Sequence, residues 1–186
     1  MALLVLLAVL LMVGVWAYQT AHRLDRLHVR YDLSPVSLAT ILEFVAEATG
    51  PQIRAKHLRY DAGGCSRELA VHADPEKLRQ ILLNLLSNAI KFTDEGGVIA
   101  LACSADRNTV RIHVKDAGIG IAADQLEKIF EPFVQVDRRL NRPMEGTGLG
   151  LAISRELARG MGGELSVESR LGEGSTFTLS LPRAVL

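Results

Sequence analysis

Cysteine is scarce in this sequence, and neither sign of charge is in excess. Only two cysteines occur, Cys65 and Cys103, far apart and outside any CxxC pair. This spacing predicts ordinary reduced thiols and favours neither a zinc site nor a disulfide framework. Lysine and arginine together number 21, as do aspartate and glutamate, so the formal net charge is zero. A balanced charge gives no support for the strongly basic footprint of a nucleic-acid-binding domain.

Several nucleotide-binding signatures are also missing. The sequence has no GxxxxGK[ST] P-loop and none of the HRD and DFG motifs of the protein kinases. Gly118, Gly120 and Ala123 satisfy the GxGxxA pattern of dinucleotide-binding folds, with Asp137 about twenty residues beyond. That pattern requires a strand, a helix and a parallel strand. The segment FVQVDRR before Asp137 is too short and too polar to be the second strand, so the match is discounted.

The first eighteen residues, Met1–Tyr18, contain no charged side chain. A helix of this length spans roughly 27 Å, close to the thickness of the hydrocarbon core of a bilayer. Trp16 and Tyr18 fall where interfacial aromatic residues are expected, and a basic connector over residues 19–34 follows. The pattern predicts a single-pass anchor over residues 1–18 in the inner or cell membrane, with the rest of the chain cytoplasmic. Two alternatives stay open: a cleaved signal peptide, and a misassigned gene start that would leave a cytoplasmic protein.

Residues 35–186 alternate between helical and strand-like patterns and are expected to form one domain. Apolar residues recur at spacings of three and four from Val36 until Gly50 and Pro51, which should end a first helix. Alternating segments over 98–104 and 109–115 predict a β-hairpin. The other expected elements are strands near 57–60 and 68–72, helices from Asp74 and over 123–130 and 149–159, and strands over 164–169 and 175–181. This order predicts an α+β fold with helices on one face of a mostly antiparallel sheet, preceded by an N-terminal apolar helix.

The stretch from Asp74 to Gly97 predicts the helix around which the domain is organised. Asp74 followed by Pro75 is a helix start, and Gly96 with Gly97 marks the end. The apolar side of this helix consists of Leu78, Leu82, Leu83, Leu85, Leu86, Ala89 and Ile90. The other side carries Lys77, Gln80, Asn84, Ser87, Asn88 and Lys91.

The polar side of this helix has an unusual composition for a solvated surface. Asn84 and Asn88, both poor helix formers, lie one turn apart, and Lys91 lies a turn beyond the second. Amide oxygens suit a hard cation such as Mg²⁺, and lysine suits phosphate. The row predicts part of a metal-nucleotide site if glycine-rich loops complete it. The alternative is an ordinary solvated face.

Asp116 follows a strand in which Val110, Ile112 and Val114 point one way. The aspartate keeps the parity of these apolar residues, so its carboxylate is expected to point inward, where it needs a partner. An adenine amino group fits this need, whereas guanine would present an oxygen. The turn from Gly118 to Gly120 lets a flat ligand approach the backbone closely. The alternative is a simple strand-to-turn aspartate.

A second glycine segment, GTGLGL over Gly146 to Leu151, opens a helix. Backbone N–H groups at a helix N-terminus attract phosphate. The preceding segment, residues 131–145, is polar and lacks apolar periodicity, which is typical of a loop. Its arginines Arg138, Arg139 and Arg142 are placed to close over phosphates, with a solvated charged loop as the alternative.

Taken in order, these motifs resemble the conserved boxes of the sensor histidine kinases. The matching segments are NLLSNAIKFT at 84–93, DAGIG at 116–120, IFEPF at 129–133, GTGLGLAI at 146–153 and MGGELSVESRLGEGSTFTLSLP at 161–182. They resemble the N, first-glycine, F and second-glycine boxes of Bergerat-fold ATPases, a group that includes gyrase and the heat-shock chaperone family. The resemblance covers roughly Leu33 to Pro182 and implies a two-layer α/β sandwich that binds ATP and Mg²⁺.

The resemblance implies a role for each matching position. Asn84, Asn88 and Lys91 are implied as catalytic residues: Asn88 ligates Mg²⁺, Asn84 supports that shell and Lys91 contacts phosphate. Phe92 packs by the adenine, Asp116 takes its amino group, and Gly118, Gly120 and Ile121 line the base. The phosphates are expected at Gly146, Thr147, Gly148, Leu149, Gly150 and Leu151, with Arg142 in the lid. Ser175 shares the inward parity of Phe177 and Leu179 and by analogy reaches Asp116 or the base through water.

Asn84 stands where hydrolysing relatives carry a glutamate that activates water. An amide is no base near neutral pH, so the site suits phosphoryl transfer to another side chain. The phosphoacceptor motif of a complete kinase is missing, because His22 precedes Arg23 and His28 precedes Val29. We therefore expect the catalytic domain of a two-component kinase that phosphorylates a histidine on a separate or missing dimerisation domain, and acts indirectly on a response regulator. The alternative is an ATP-binding regulatory module that modulates a partner kinase without catalysis.

Overall fold

A computed structural model of the protein describes residues 30–134 and 148–185. The described residues from Tyr31 onward belong to one compact unit. The predicted anchor over residues 1–18 and most of the predicted connector lie outside the described residues, so they stay predictions. Among the residues that are described, no helix combines the length and apolar character needed to cross a membrane.

Three helices form one layer of the domain: α1 (Leu38–Ala55), α2 (Pro75–Phe92) and α3 (Gly150–Gly160). Helix α2 begins as predicted, because the Asp74 carboxylate accepts hydrogen bonds from the backbone amides of Glu76 and Lys77 at 2.9 and 3.2 Å. Three amides, counting that of Asp32, hold the pKa of Asp74 below its usual value although burial opposes them.

Helix α1 is longer than predicted, since it continues through Gly50 and Pro51 to Ala55. Proline removes one backbone donor and usually ends a helix. Here the buried stripe is maintained beyond the proline, because Thr49 and Ile53 follow Val45 at spacings of four residues. Tertiary packing of that stripe therefore outweighs the local break.

The second layer is a sheet of seven strands, in the order β1-β3-β7-β5-β4-β2, with β6 also paired to β7. The strands are β1 (Ser34–Ser37), β2 (Arg59–Gly64), β3 (Ala70–Ala73), β4 (Val98–Ala105), β5 (Thr109–Asp116), β6 (Glu164–Arg170) and β7 (Gly174–Ala184). The predicted β4–β5 hairpin is confirmed. Every pairing among the described strands is antiparallel except β2 with β4.

The core lies between the helices and the inward face of the sheet. Ile112 and Val114 on β5 and Leu179 on β7 are buried there together with the apolar faces of α1, α2 and α3. The α+β prediction of helices packed on a mostly antiparallel sheet is confirmed. Residues 123–130 differ from the prediction, because they form two short 3₁₀ turns, Ala123–Gln125 and Lys128–Phe130, in place of one helix. Only Ile129 and Phe130 of these turns are buried, which leaves no apolar stripe to support an α-helix.

The prediction of two reduced thiols is wrong for this structure. Cys65 and Cys103 form a disulfide, with Cα atoms 4.7 Å apart. The bond follows from the parallel pairing of β2 with β4, in which Gly64 lies opposite Ala102. Spacing along the chain could not reveal it, because 38 residues separate the two cysteines.

Candidate functional site

Asp116 closes strand β5 with its carboxylate turned inward, as its parity predicted. It is 5% exposed, and its register partners are Ile99 on β4 and Ser175 on β7. Burial raises the pKa of Asp116, while hydrogen bonds from the backbone amides of Gly118 and Ser175 oppose that rise. The Gly118 amide donates at 2.9 Å. The result is a fixed, buried acceptor whose two oxygens keep lone pairs for a further donor.

The glycine turn after Asp116 packs directly on its neighbours. A Cβ at Gly118 would lie 2.5 Å from the Phe92 carbonyl oxygen, and one at Gly120 would lie 1.9 Å from that of Arg170. Gly120 also has a φ of +68°, a conformation that glycine adopts without penalty. Because the Ile119 amide donates to the Phe92 carbonyl at 3.3 Å, the turn is attached to the end of the asparagine helix α2.

Ser169 is a residue of this region that sequence reasoning missed. Its hydroxyl accepts from the Ile121 amide at 2.8 Å, donates to the Gly174 carbonyl at 2.7 Å and lies 3.0 Å from the Ser175 hydroxyl. A signal was present, since Leu165, Val167 and Ser169 alternate along β6 and the serine keeps the inward parity.

The asparagine row of α2 lies beside helix α3. The Asn84 side-chain amide donates to the Ser154 hydroxyl at 3.0 Å. The other side of the same amide lies against Gly150, where a Cβ would come within 2.3 Å of Asn84 Oδ1. Asn88 is half-buried one turn further along, and Lys91 is exposed with its ammonium 5.2 Å from the centre of the Phe92 ring.

The N-terminus of α3 provides the second glycine segment. Gly148 has a φ of +70°, and its carbonyl accepts from the Phe133 amide at 3.1 Å. Leu149 precedes the first helical residue, Gly150, and its side chain makes no capping hydrogen bond. Uncapped amides at a helix start favour an anion such as phosphate. Leu151, half-buried, packs against the core. Arg142, Gly146 and Thr147 lie outside the described residues, so their roles stay predictions.

A second feature that sequence reasoning missed connects α3 to the segment before the arginine-rich loop. Arg155 is bonded to Glu127 at 3.2 Å and to Glu164 at 3.0 Å, and its guanidinium lies 4.5 Å from the centre of the Phe130 ring. These contacts fix the 3₁₀ turn that carries Phe130 against the helix. Nothing in the local sequence around Arg155 indicates them.

The sequence-predicted residues therefore gather around α2. Its C-terminal end meets the glycine turn of Asp116, and its middle meets the start of α3 through Asn84. This arrangement places acceptors near the C-terminal end of α2 and the helix-start amides of α3 near its middle. Among the described residues no group of three or more His, Cys, Asp or Glu side chains is placed to hold a metal. A cation here would depend on amide oxygens and on the ligand's own oxygens, as Mg²⁺ does in nucleotide sites.

Comparison with known proteins agrees with this geometry. Residues 73–185 match the family described as histidine kinase-, DNA gyrase B-, and HSP90-like ATPase. The chain belongs to this family.

Within the family the chain is similar to sensor histidine kinases. It is 40% identical over 161 residues to the aerobic respiration control sensor protein ArcB of Escherichia coli, covering 86% of this chain and 21% of ArcB. It is 42% identical over 160 residues to the sensor protein GacS of Pseudomonas syringae, covering 82% of this chain and 18% of GacS. The chain thus spans about a fifth of the length of these relatives.

Solved structures give the same result. Full-length ShkA, crystallised with AMPPNP, aligns with a TM-score of 0.74 at 38% identity, covering 85% of this chain and 32% of ShkA. The catalytic domain of the histidine kinase ThkA aligns with a TM-score of 0.71 at 29% identity, covering 82% of this chain and 98% of that domain. The predicted resemblance to the ATP-binding catalytic domain of the sensor histidine kinases is confirmed.

Proposed function

We propose that this chain binds Mg²⁺-ATP and passes its γ-phosphoryl group to a histidine on a dimerisation domain, supplied by a separate protein or by another part of a longer chain. The observation that carries the proposal is Asp116, a buried carboxylate beside a glycine turn packed against the asparagine helix. A buried charge costs several kcal/mol unless a partner compensates it, and an adenine amino group is such a partner. The AMPPNP bound to ShkA supports the same choice of ligand.

The chemistry and the hydrogen bonding of Asn84 favour transfer of the phosphoryl group to a side chain over its hydrolysis by water. Its amide nitrogen donates to Ser154, so the group is held in a contact between helices. An amide has no basic lone pair to activate water near neutral pH. In the proposed reaction the bond from the γ-phosphorus to the β–γ bridging oxygen breaks, and a bond to an imidazole nitrogen forms. The protein contributes mainly position and charge neutralisation.

Mg²⁺ is part of the proposal, with Asn88 as the residue that would hold it. One protein amide oxygen suits a cation that keeps several waters and binds substrate phosphates. When bound, the cation neutralises phosphate charge. Lys91 and the amides at the start of α3 would contact the phosphates, with Gly146, Thr147 and Arg142 added from the loop.

The wider setting is proposed from the sequence and the relatives. The phosphorylated histidine would pass its group on to a response regulator, as expected of a two-component system. Membrane attachment through residues 1–18 would place the domain on the cytoplasmic side. The similarity to sensor kinases favours the enzyme over the alternative of a purely regulatory ATP-binding module.

A reconstituted transfer reaction tests the proposal. The chain is mixed with γ-labelled ATP, Mg²⁺ and a separately produced dimerisation domain from a sensor kinase similar to ArcB. Label is expected on the histidine of that domain, and replacing this histidine by glutamine should abolish it. Tight ATP binding without any transfer to several such domains would instead support the regulatory module.

A further inference from the structure

The hydroxyl of Ser169 lies at a junction of three segments. It contacts Ile121 in the glycine turn, Gly174 at the start of β7, and Ser175 across the strand pair. Ser169 and Ser175 are also register partners between β6 and β7. The Ser169 side chain thus connects the turn after Asp116 with strand β7. The backbone amide of Ser175 on that strand donates a hydrogen bond to the Asp116 carboxylate.

The protons of these hydroxyl groups can be assigned by counting donors and acceptors. A serine hydroxyl has one proton to donate and two lone pairs that accept. The Gly174 carbonyl can only accept, so it takes the proton of Ser169. The Ile121 amide can only donate, so it occupies one lone pair of Ser169. The remaining lone pair faces Ser175, which must therefore donate its own proton to Ser169.

This assignment determines what Ser175 offers to a ligand. With its proton directed at Ser169, the Ser175 oxygen acts only as an acceptor toward the rest of the site. Asp116, its register partner on β5, is also an acceptor when ionised. Both groups at this end of the proposed site therefore match a ligand that donates. The adenine amino group donates at the position where guanine carries an oxygen that accepts.

We propose that Ser169 is a positioning residue that sets nucleotide specificity by holding the Ser175 proton away from the base. It thereby selects 6-amino purines such as adenine over 6-oxo purines such as guanine. The inference rests on the proposed binding of ATP at this site. Without Ser169, the Ser175 hydroxyl rotates and donates to the guanine oxygen, so discrimination falls.

The surrounding backbone allows this role to be separated from folding. The Gly172 amide donates to the Ile119 carbonyl at 2.7 Å, and Gly120 packs on the Arg170 backbone. These contacts hold the β6–β7 turn against the glycine turn whether or not the Ser169 hydroxyl is present. Ser169→Ala is thus expected to keep the fold while changing the hydrogen-bond polarity of Ser175.

Competition binding measures the effect. The full chain, with Mg²⁺, is loaded with a fluorescent ATP analogue, which is then displaced by ATP, by GTP and by inorganic tripolyphosphate. Ser169→Ala is expected to lower the ratio of Kd for GTP to Kd for ATP at least fivefold, with tripolyphosphate affinity unchanged. Ser169→Thr, which keeps the hydroxyl, should show the wild-type ratio of the two Kd values. Ser166→Ala, on the exposed face of the same strand, is the matched control.

Four results would count against the inference or against the proposed function. An unchanged ratio in Ser169→Ala overturns the inference, and so does an equal loss of affinity for all three ligands. If Ser169→Ala does not fold, Ser175→Ala decides: it should also lower the ratio, and a wild-type ratio there overturns the inference. Failure of the wild-type chain to bind ATP at all would refute the proposed function instead.

Discussion

The two ends of the proposed nucleotide site are formed by different kinds of secondary structure. The base end consists of strand ends and two tight turns, joined by short hydrogen bonds such as Ile121 to Ser169 at 2.8 Å and Gly172 to Ile119 at 2.7 Å. The phosphate end consists of two helices whose apolar faces share the core and whose polar sides are joined by the hydrogen bond from Asn84 to Ser154. The base end is thus preorganised by the sheet, whereas the phosphate end depends on how α2 and α3 approach each other.

Because of this difference, we expect the two ends to contribute differently to nucleotide binding. A preorganised group loses little freedom when a ligand binds, so it gives affinity and specificity at low cost. The base end should therefore decide which nucleotide binds, and disturbing it should have large effects. The phosphate end should act mainly through charge and the cation, so its effects should depend on Mg²⁺.

The largest effect is expected from Gly120→Ala at the base end. The new Cβ meets the Arg170 carbonyl oxygen at 1.9 Å in a residue with a φ of +68°. A positive φ alone costs about 1 to 2 kcal/mol, and displacing the β6–β7 turn adds to that. ATP affinity should fall on the order of a hundredfold in calorimetric titration. Gly96→Ala is the control, because Gly96 has a φ of +75° with nothing within 4 Å, and only stability should change.

Asp116→Asn should weaken ATP binding at least tenfold, through loss of one charged hydrogen bond. Asp106→Asn, in the exposed β4–β5 turn, is the control. Wild-type ATP affinity in Asp116→Asn would contradict the proposal that Asp116 binds the base of the nucleotide.

The pH dependence of Asp116 gives a second measurement on the same residue. Burial raises its pKa in the folded protein, so the folded state binds this proton more tightly than the unfolded state does. Its contribution to stability is therefore fully present below the unfolded pKa and is lost as pH rises through the folded pKa. Urea unfolding should show this loss in the wild type and not in Asp116→Asn. ATP binding should strengthen over the same rise in pH, because the ionised form accepts from adenine.

At the phosphate end, Asn88→Ala should weaken ATP binding about tenfold in the presence of Mg²⁺, by loss of one metal ligand. Without the cation the same variant should bind ATP nearly as well as the wild type. Ser87→Ala, an exposed neighbour on the same helix, is the control. An equal loss with and without Mg²⁺ would show that Asn88 acts on the fold or on the phosphates directly.

The smallest effect on binding is expected at the disulfide, which joins Cys65, just after β2, to Cys103 on β4. Cys103 pairs with Ile112, four residues before Asp116 on β5. Reduction, or replacement of both cysteines by serine, should lower the free energy of unfolding by about 2 to 4 kcal/mol and leave ATP affinity unchanged. Denaturant titration with and without a dithiol measures the first, and calorimetry the second. A loss of ATP affinity on reduction would mean that the edge strand supports the site.

Much of this site could be predicted because its signals are local. The alternation that turned Asp116 inward, the cap at Asp74 and the polar row of α2 each depend on residues within a few positions of one another. The ends of α1 and the 3₁₀ turns were predicted less well. In α1, packing of Ile53 in the core outweighed the break expected at Pro51. Residues 123–130 bury only Ile129 and Phe130, which is too few for the apolar stripe of an α-helix.

By itself, the sequence determined the α+β class, the asparagine helix and the glycine turns that identify the family, because periodicity and capping act over one or two turns of chain. Only the tertiary structure decided that Ser169 meets Ile121, that Ser154 holds Asn84 and that Cys65 bonds to Cys103. These contacts join segments 38 to 70 residues apart. They depend on which strands and helices become neighbours, which is settled by burial of the whole core and carries no signature in the spacing of any single segment.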